Sequence, residues 1–209
     1  MGKSDGSILF NTIAPLYGLF YNIQKRWFAR VIRDVAPELD LTCFRTIIDV
    51  GCGTGALCSV LNSMGLSVTG IDPAQRMLDI ARAKPENKDV QFLQANVLET
   101  LPFADKSFDI AIASYVAHGL KAEERKLMYA EMSRLTNEWV IIYDYNDQRS
   151  FLITIAEWLE RGDYFHFISH AEPEMRDCVS EMKKCFSEVR VVNVDTRGAW
   201  YICKPHHDN

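Results

Sequence analysis

The chain has 209 residues, of which 48% are hydrophobic and 24% charged, and its 23 basic and 28 acidic side chains give a formal net charge of −5. This composition excludes a disordered or fibrous protein, favours a globular protein with a small-molecule partner, and argues against a main role in binding nucleic acid backbones. Because no apolar run approaches the roughly 18 residues that span a bilayer, and because the N-terminus lacks a signal-peptide core, we expect a cytoplasmic protein without stable membrane insertion.

The six cysteines show no pattern of a metal site or of a disulfide framework. They form no CxxC pair and have no Cys/His spacing typical of zinc sites, so we expect reduced thiols that pack mostly as small apolar groups. Asp144 and Asp147 follow the fifth predicted strand, but they are close in sequence and have no obvious distant carboxylate partner. No metal is therefore predicted.

From Ile13 to Arg33 the sequence predicts an amphipathic helix. Pro15 fits the first turn of such a helix, and the polar side is basic. This pattern is compatible with a helix docked on the domain and with a helix that lies on a membrane surface. The helix forms most of an N-terminal cap at residues 10–42. Its apolar stripe consists of Leu16, Phe20, Ile23, Trp27 and Val31.

The stretch from Thr46 to Leu57 organises the rest of the chain. A β-branched apolar run precedes the glycines Gly51, Gly53 and Gly55, and an amphipathic helix begins near Thr54. A strand that leads into a glycine turn and a helix brings unpaired backbone N–H groups and the helix dipole to one point. We therefore expect this turn to bind a negatively charged ligand group.

Beyond the turn, apolar strands alternate with amphipathic helices, which is typical of a parallel sheet covered on both faces. Near the C-terminus, Val189 to Val194 and Ala199 to Cys203 are joined by so short a loop that these two strands must be antiparallel. The predicted fold class is α/β, a doubly wound, mostly parallel seven-stranded Rossmann-like sheet with an antiparallel C-terminal strand pair. The strands predicted between the glycine turn and the C-terminal strand pair are Leu66 to Ile71, Val90 to Leu93, Phe108 to Ala113 and Glu138 to Tyr143.

Residues 145–188 interrupt this alternation and are predicted to form an inserted segment within one domain that spans 1–209. The aromatic stretch in this segment is either a packed loop or a wall of a substrate site, to which Tyr164 and His166 would contribute. The predicted parts of the segment are a helix at Phe151 to Glu160, the aromatic stretch at Gly162 to His170, and a helix at Pro173 to Phe186.

The glycine turn also matches a dinucleotide-binding pattern, because Gly51, Gly53 and Ala56 have the required spacing and Asp72 follows about twenty residues later. Asp49, two residues before the first glycine, distinguishes a dinucleotide from a ligand that carries an ammonium group. Its carboxylate would repel a pyrophosphate, whereas it would attract an ammonium group. A ligand with an ammonium and a carboxylate near the turn, and a ribose near Asp72, fits both ends. S-adenosylmethionine has these parts.

The residues of this turn resemble a known family. Ile48-Asp49-Val50-Gly51-Cys52-Gly53-Thr54-Gly55 is similar to motif I of the class I S-adenosylmethionine-dependent methyltransferases. Leu101-Pro102-Phe103 with Ser107-Phe108-Asp109, and the entry Phe10 to Tyr17, resemble the quinone-biosynthesis-like branch of that family. The similarity covers Phe10 to Asp144. It implies a small-molecule methyltransferase that uses S-adenosylmethionine and releases S-adenosylhomocysteine.

The resemblance implies a role for each matching position. Asp49 orients the cofactor's amino group, Asp72 takes the two ribose hydroxyls, and the backbone of the turn approaches the methionine portion. Asn96 stands where the family often has an aspartate that contacts the adenine amino group, and its side-chain oxygen can still accept that hydrogen bond. The implied cofactor-binding residues are Asp49, Gly51, Cys52, Gly53, Gly55, Asp72, Pro73, Met77, Asn96, Val97 and Ser114.

Structural interpretations of the same residues remain open. Asp72 could mark a strand-to-turn junction, Asn96 could be a turn residue, and the glycines could serve tight packing of helix against strand. His118, just after the fourth strand, could act as a base or substrate ligand, or it could pack or cap.

A sulfonium methyl donor is intrinsically reactive, so the protein must mainly align a nucleophile in line with the methyl group and exclude water. A base is needed only when the acceptor is an un-ionised hydroxyl, a protonated amine or a carbon acid. The segment Ser114-Tyr115-Val116-Ala117 replaces the Asn-Pro-Pro-Tyr type of motif, so methylation of nucleic acid bases is not expected.

The function predicted from the sequence is therefore methyl transfer from S-adenosylmethionine to a small, partly aromatic or apolar acceptor by in-line displacement. Two alternatives stay open, a catalytically silent module that binds S-adenosylmethionine and an NAD-dependent oxidoreductase. The predicted acceptor-side residues are Tyr17, Tyr21, Tyr115, His118, Tyr145, Tyr164 and His166.

Overall fold

A computed structural model describes residues 5–146, 178–195 and 198–206, with side chains described from Phe10 onward. Four helices of more than one turn and seven strands have defined bounds in these ranges, and residues 178–185 are also helical. The helices are α1 (Asp5–Val35), α2 (Ala56–Ser63), α3 (Gln75–Arg82) and α4 (Ala122–Leu135). The strands are β1 (Thr46–Val50), β2 (Ser67–Asp72), β3 (Gln91–Gln94), β4 (Phe108–Ser114), β5 (Thr136–Tyr145), β6 (Glu188–Asn193) and β7 (Gly198–Lys204).

The seven strands form one sheet in the order β3-β2-β1-β4-β5-β7-β6. Strands β1 to β5 pair in parallel, whereas β7 pairs antiparallel with both β5 and β6. The order reverses beside β1, and in open parallel sheets ligands bind at the carboxyl ends of the strands where the order reverses. The predicted α/β fold with an antiparallel C-terminal pair is confirmed.

Hydrophobic residues cover both faces of the sheet because successive side chains of a strand point to opposite faces. Ile47 packs on the face that carries α1 and α2, and its neighbour Ile48 packs on the face that carries α4 and the 178–185 helix; both are fully buried. The central strands therefore read as continuous apolar runs. Their carboxyl ends are held rigidly by this double core.

Helix α1 differs from its prediction in where it begins. The helix runs from Asp5 to Val35, so Pro15 lies in its interior and not in its first turn. Of the two interpretations of this helix, docking on the domain is the one that the structure shows, because the inner face of α1, including Val31 and Val35, is buried and the helix packs against α2 and α3. Its outer face leaves Leu19 79% exposed.

Strand β5 is longer than predicted, and this changes the position of two polar residues. The prediction ended the strand at Tyr143, but Asp144 pairs with Ala199 and Tyr145 pairs with Gly198 of β7. Asp144 and Tyr145 are therefore strand residues and not loop residues. Pairing with β7 holds their backbone in place at the edge of the candidate site.

Several expectations lie outside the described residues. These are the predicted helix at Phe151 to Glu160 and the aromatic stretch at Gly162 to His170, including Tyr164 and His166. Of the predicted helix at Pro173 to Phe186, residues 178–185 are described and helical. In the described part of the chain, no helix combines the length and apolar character required to cross a bilayer.

Candidate functional site

The carboxyl ends of β1, β2, β4 and β5 bring most of the predicted site residues to one edge of the sheet. The glycine turn follows β1, Asp72 ends β2, Ser114 ends β4, and Tyr145 ends β5. The loop after β4 touches the glycine turn, since a Cβ added to Gly51 would lie 2.6 Å from Cγ2 of Val116. The cofactor side and the acceptor side of the predicted site are thus in direct contact.

The backbone N–H groups of the turn are engaged by the protein itself. The N–H groups of Gly51 and Cys52 both donate to the carbonyl of Ile71, at 2.8 and 3.0 Å, and Gly55 N–H donates to Cys52 at 2.9 Å. Gly53 N–H donates to Asp72 Oδ2 at 2.9 Å. The expectation of unpaired N–H groups is wrong for these four, because the end of β2 supplies the acceptors of Gly51, Cys52 and Gly53, and the turn itself supplies the acceptor of Gly55. The turn does not bind an anion through them in this conformation.

The three glycines have positive φ angles but different surroundings. A Cβ on Gly55 would lie 2.7 Å from Asn87 Nδ2 and 3.0 Å from atoms of Ala81 and Phe92, so Gly55 serves close packing. A Cβ on Gly53 would meet no atom of the described residues within 4 Å. The open space beside Gly53 is where a ligand can approach the backbone, whereas a cofactor contact of Gly55 stays a prediction.

Asp49 is a buried carboxyl group close to the turn. It is 1% exposed, and Cys58 Sγ donates to its Oδ2 at 3.2 Å. Burial raises the pKa of Asp49 to about 7, and the nearby Asp72 raises it further, while the bond from Cys58 opposes the shift. A buried carboxylate without a cationic neighbour is costly, so this position favours a ligand that brings a positive charge.

Asp72 connects the glycine turn with the start of α3. Its Oδ2 accepts from Gly53 N–H and its Oδ1 from Ala74 N–H, at 2.9 and 2.7 Å. Burial raises the pKa of Asp72, although these two N–H donors oppose the shift. The structural role of Asp72 is therefore real. A carboxylate has about four lone-pair positions, so two bonds leave capacity for ribose hydroxyls.

Ser114 gives the clearest sign that a ligand belongs here. Its Oγ is buried and has no hydrogen-bond partner in the described part of the chain. Buried polar atoms are nearly always paired, so an orphaned hydroxyl at the carboxyl end of β4 indicates a missing partner. Together with the carboxyl group of Asp49 and the open space at Gly53, it fits the amino acid portion of S-adenosylmethionine.

The residues predicted near adenine have mixed surroundings. Pro73 is exposed and can cover a ring, whereas Met77 is 2% exposed and packs with Ala14 in a small cluster between α1 and α3. Asn96 Oδ1 accepts from Leu98 N–H at 3.1 Å, which is the bond of a turn residue. Val97 is 8% exposed. Adenine contacts of these residues stay predictions, and Met77 has a clear structural role.

Cys52, also predicted on the cofactor side, directs its thiol into the fold. The side chain is 8% exposed, and its Sγ would lie 2.9 Å from a Cβ added to Gly70. Burial raises the pKa of this thiol, as it does that of Cys58. A cofactor contact of Cys52 stays a prediction.

An aromatic cluster occupies the other half of the edge, beyond Ser114. The ring of Tyr115 lies 4.8 Å from that of Tyr143 and 5.4 Å from that of Tyr145. The ring of His118 lies 5.0 Å from that of Tyr145. Tyr115 has a φ angle of +57°, which is uncommon for a residue other than glycine. The cluster brings Tyr115, His118 and Tyr145 together as predicted.

Asp144 holds His118 in place, and sequence reasoning assigned it no such role. Its Oδ1 lies 2.8 Å from His118 Nδ1, and its Oδ2 accepts from the backbone N–H of His118 at 3.2 Å. Asp144 Oδ1 also accepts from Tyr145 N–H at 2.9 Å. The side chain of Asp144 is fully buried, while that of His118 is 13% exposed. An acidic residue near the end of a strand that neighbours His118 was the available signal.

Tyr17 and Tyr21, predicted on the acceptor side, contact other elements instead. Tyr17 packs against the α3 cluster, and Tyr21 is 2% exposed with Lys84 Nζ 4.5 Å from its ring centre. Their contacts are those of helix docking, so an acceptor-side role gains no support. Two other α1 residues reach the aromatic cluster at Tyr143: the indole N–H of Trp27 donates to Tyr143 Oη at 2.9 Å, and the ring of Phe28 lies 6.3 Å from that of Tyr143.

The described residues contain no group of three or more His, Cys, Asp or Glu side chains that could hold a metal ion.

Comparisons with known proteins agree with the fold and the turn. Residues 47–138 match a family described as a methyltransferase domain. An uncharacterised methyltransferase of Staphylococcus carnosus is 31% identical over 187 residues, which cover 87% of this chain and 88% of that protein. The demethylmenaquinone methyltransferase of Thermus thermophilus is 36% identical over 116 residues, which cover 51% of this chain and 50% of that protein.

A solved structure from Methanococcus maripaludis has the same fold. It superposes with a TM-score of 0.72 at 15% identity, and the alignment covers 95% of this chain and 94% of that one. An identity this low supports the fold alone. Family membership comes from the 31% identical relative, which this chain matches over nearly its whole length.

Proposed function

Because this chain belongs to the S-adenosylmethionine-dependent methyltransferases, we propose that it methylates a small-molecule acceptor between its glycine turn and its aromatic cluster. The proposal places the cofactor's amino acid portion beside Asp49, Gly53 and Ser114, and its ribose beside Asp72. The acceptor lies against Tyr115, His118 and Tyr145. These positions follow one continuous edge of the sheet, from β2 through β1 and β4 to β5.

The orphaned hydroxyl of Ser114 carries this proposal. Ser114 ends β4, the strand beside β1, and its Oγ has no protein partner in the described ranges. Asp49, in β1, adds a buried carboxyl group that no described cation pairs with. An ammonium group supplies a hydrogen-bond donor for Ser114 Oγ and a positive charge for Asp49 at the same time.

The chemistry requires little more of the protein than alignment. When bound, the cofactor supplies an electrophilic methyl group on a positively charged sulfur. The glycine turn and Asp72 fix the position of that donor, and the aromatic cluster presents the acceptor from the other side. Holding two reactants in line lowers the barrier because the entropy of bringing them together is lost at binding. The half-buried rings of Tyr115 and Tyr145 also limit access of water.

Calorimetric titration with S-adenosylhomocysteine tests the cofactor half of the proposal. We expect binding by the wild-type protein and a loss of at least about tenfold in affinity for Asp72→Ala, which removes a charged hydrogen-bond acceptor. Asp79→Ala is the matched control, because Asp79 is an exposed carboxylate on α3, just after the same loop. Absence of binding at hundreds of micromolar, or equal affinities for the two variants, would contradict the proposal.

The acceptor half is tested by incubating the protein with labelled S-adenosylmethionine and the small-molecule fraction of a cell extract. We expect a labelled small-molecule product that disappears when the protein is omitted. Tight cofactor binding without any labelled product would favour the catalytically silent module instead.

A further inference from the structure

Helix α1 exposes a stripe of apolar side chains even though it is docked on the domain. Eight large apolar side chains are exposed in the described ranges, and six of them belong to α1, so this exposure is concentrated on one helix. Docking uses the inner face of α1 and leaves the outer face exposed. Of the five residues in the apolar stripe predicted from the sequence, four lie on this outer face and Val31 is buried. The outer stripe consists of Leu16, Leu19, Phe20, Ile23 and Trp27, which follow one another at intervals typical of one helix face.

The arrangement of the outer stripe is that of an interaction surface. Isolated apolar side chains are common on soluble proteins, whereas a contiguous exposed patch marks a surface that contacts a partner. With a rise of about 1.5 Å per residue, Leu16 and Trp27 are about 16 Å apart along the helix axis. Leu19 is 79% exposed and Ile23 is 55% exposed, so most of the surface of each residue faces away from the domain. The outer stripe is therefore a narrow, convex ridge that is available for binding.

Exposed arginines continue the outer face toward the C-terminal end of α1. Arg26 lies beside the last residues of the outer stripe, and Arg30 and Arg33 follow it at helical spacing. The carboxylate of Asp34 lies 3.4 Å from Arg30 Nε and 3.7 Å from Arg33 Nε, so one acidic group offsets part of this charge. The C-terminal half of the outer face therefore carries a net positive charge next to an apolar N-terminal half.

Basic side chains from other elements also flank α1. Arg76 Nη1 of α3 donates to the α1 backbone at 3.4 Å, and Lys84 Nζ lies 4.5 Å from the ring centre of an α1 tyrosine. Lys25 of α1 pairs with Glu86 at 3.0 Å, and the other two charges of α3 pair with each other at 3.6 Å. The chain as a whole has a net charge of −5. The positive charge around the outer stripe is thus a local feature, and it is complementary to a negatively charged partner.

We propose that the outer stripe binds the surface of an anionic lipid bilayer, with α1 lying in the plane of the interface. An amphipathic helix of this kind buries its apolar residues about 5–10 Å deep, at the boundary between headgroups and acyl chains. Long arginine side chains reach lipid phosphates from this depth while their stems stay against apolar surface, and tryptophan rings are favoured there. The contact requires no helix that crosses the bilayer, in agreement with the described part of the chain.

Charge and shape favour a bilayer over two other occupants. In a symmetric dimer the same surface meets itself, so the basic side chains would face either each other or the apolar stripe of the partner, and neither contact supplies a negative charge. A protein partner would need an acidic groove that follows the ridge over several turns of helix. Anionic lipids supply negative headgroups and apolar chains along the whole ridge at once.

Sedimentation with lipid vesicles tests the apolar part of the contact. The full chain is mixed with vesicles of phosphatidylcholine alone, or of phosphatidylcholine and phosphatidylglycerol in equal parts, and the bound fraction is measured. We expect the affinity for the anionic vesicles to be at least about tenfold higher and to fall with added salt. Leu19→Glu combined with Ile23→Glu should lower this affinity at least about tenfold, because two inserted side chains are lost. Leu127→Glu is the matched control and should bind as the wild type does, since Leu127 is 54% exposed on α4, at the other face of the sheet.

Charge reversal tests the arginines separately. Arg26→Glu combined with Arg30→Glu should lower the affinity for the anionic vesicles at least about tenfold and leave the affinity for neutral vesicles nearly unchanged. Lys183→Glu combined with Lys184→Glu changes the net charge by the same amount. Both lysines are exposed on the 178–185 helix, at the other face of the sheet, so we expect a much smaller loss from this control.

The vesicle-free proteins provide the control for folding. The substitutions on the outer face should leave Tm and the affinity for S-adenosylhomocysteine unchanged. A fall of several degrees in Tm for Leu19→Glu combined with Ile23→Glu would show that another part of the chain covers the outer stripe, which overturns the proposal. The proposal is also overturned by the absence of binding to anionic vesicles, by equal losses in the matched controls, or by a wild-type dimer that this variant dissociates. These outcomes leave the proposed methyl transfer untouched, because the calorimetric titration tests it separately.

Discussion

The two halves of the carboxyl edge are built on different principles. The cofactor half is a local structure in which a dozen consecutive residues, with Asp72, supply most of the polar contacts. The acceptor half is assembled from distant parts of the chain, with Trp27 from α1, Tyr115 and His118 after β4, and Asp144 from β5. The acceptor half therefore depends on contacts between parts of the chain that lie further apart, 116 residues for Trp27 and Tyr143 against 19 for Gly53 and Asp72.

The largest effect is expected from a substitution that disrupts the local structure of the cofactor half. Gly55→Ala combines a left-handed backbone with a Cβ that would lie 2.7 Å from Asn87 Nδ2. Strain and overpacking together should lower the free energy of unfolding by about 2–4 kcal/mol. Urea denaturation measures this loss. A change below about 0.5 kcal/mol would mean that the packing around Gly55 is looser than described.

Replacing Asp49 should separate binding from stability. We expect Asp49→Asn to weaken S-adenosylhomocysteine binding by about 10- to 100-fold, because a charge-assisted bond to an ammonium contributes about 1.5–3 kcal/mol. Calorimetry measures the affinity. Unchanged affinity would show that Asp49 does not face the cofactor's amino group.

The same substitution should stabilise the cofactor-free protein. The folded-state pKa of about 7 lies above the value of the unfolded chain. The folded state thus binds more protons between about pH 4 and 7, and the contribution of Asp49 to stability is lost as pH rises through that window. At about pH 8, Asp49→Asn should raise Tm by several degrees, and near pH 4 it should not.

Asp109→Asn is a control, because its expected effect on Tm at about pH 8 has the opposite sign to that of Asp49→Asn. Burial raises the pKa of Asp109, but the N–H donors of Arg45 and Thr46 outweigh it and lower the pKa overall. This carboxylate therefore contributes stability above its unfolded pKa, and removing its charge should lower Tm at about pH 8. Equal signs for the two variants would contradict the assignment for Asp49.

Gly53 and Gly65 sharpen the distinction between backbone strain and ligand approach. Both have positive φ angles, and at either position an added Cβ would have no atom within 4 Å in the part of the chain that the structure describes. Alanine at each should lower stability by about 1–2 kcal/mol. Only Gly53→Ala should also weaken S-adenosylhomocysteine binding, since Gly65 ends α2 at the other side of the fold. Equal binding by both variants would remove Gly53 from the site.

The smallest expected effect concerns Ser114. Its Oγ has no partner among the described residues, so Ser114→Ala should stabilise the cofactor-free protein slightly or leave it unchanged. The same change should weaken cofactor binding by about two- to tenfold, the value of one hydrogen bond. A clear loss of stability without a change in affinity would identify a structural partner for this hydroxyl.

The contrast between the halves also explains what could be predicted from the sequence. The strand, the glycines, Asp49 and Asp72 follow one another at fixed spacing, so local pattern was sufficient to predict the turn and the sheet. The role of Asp144 was missed because its contact with His118 spans 26 residues and depends on the register of β4 and β5. The N–H groups of the turn were misjudged for a related reason, since three of the four acceptors lie on β2.

Helix α1 is a second example of a contact that could not be predicted from the sequence. Its apolar spacing predicted a helix and its docking, but periodicity cannot say which aromatic residue reaches the site. Tyr17 and Tyr21 were expected there, whereas Trp27 arrives through its bond to Tyr143. Which side chain meets the sheet depends on the angle at which the helix crosses it, and that angle is set by packing against α2 and α3.

The contact between Gly51 and Val116 constrains the order in which this sequence can change. A side chain at position 51 would overlap Cγ2 of Val116, so a smaller residue at 116 must be present before any replacement of Gly51 can be accommodated. The reverse order passes through an intermediate that carries the overlap. Even with that overlap relieved, the φ angle of +71° keeps a cost on every replacement. The two positions are therefore coupled by direct contact, which joins the two sides of the proposed site.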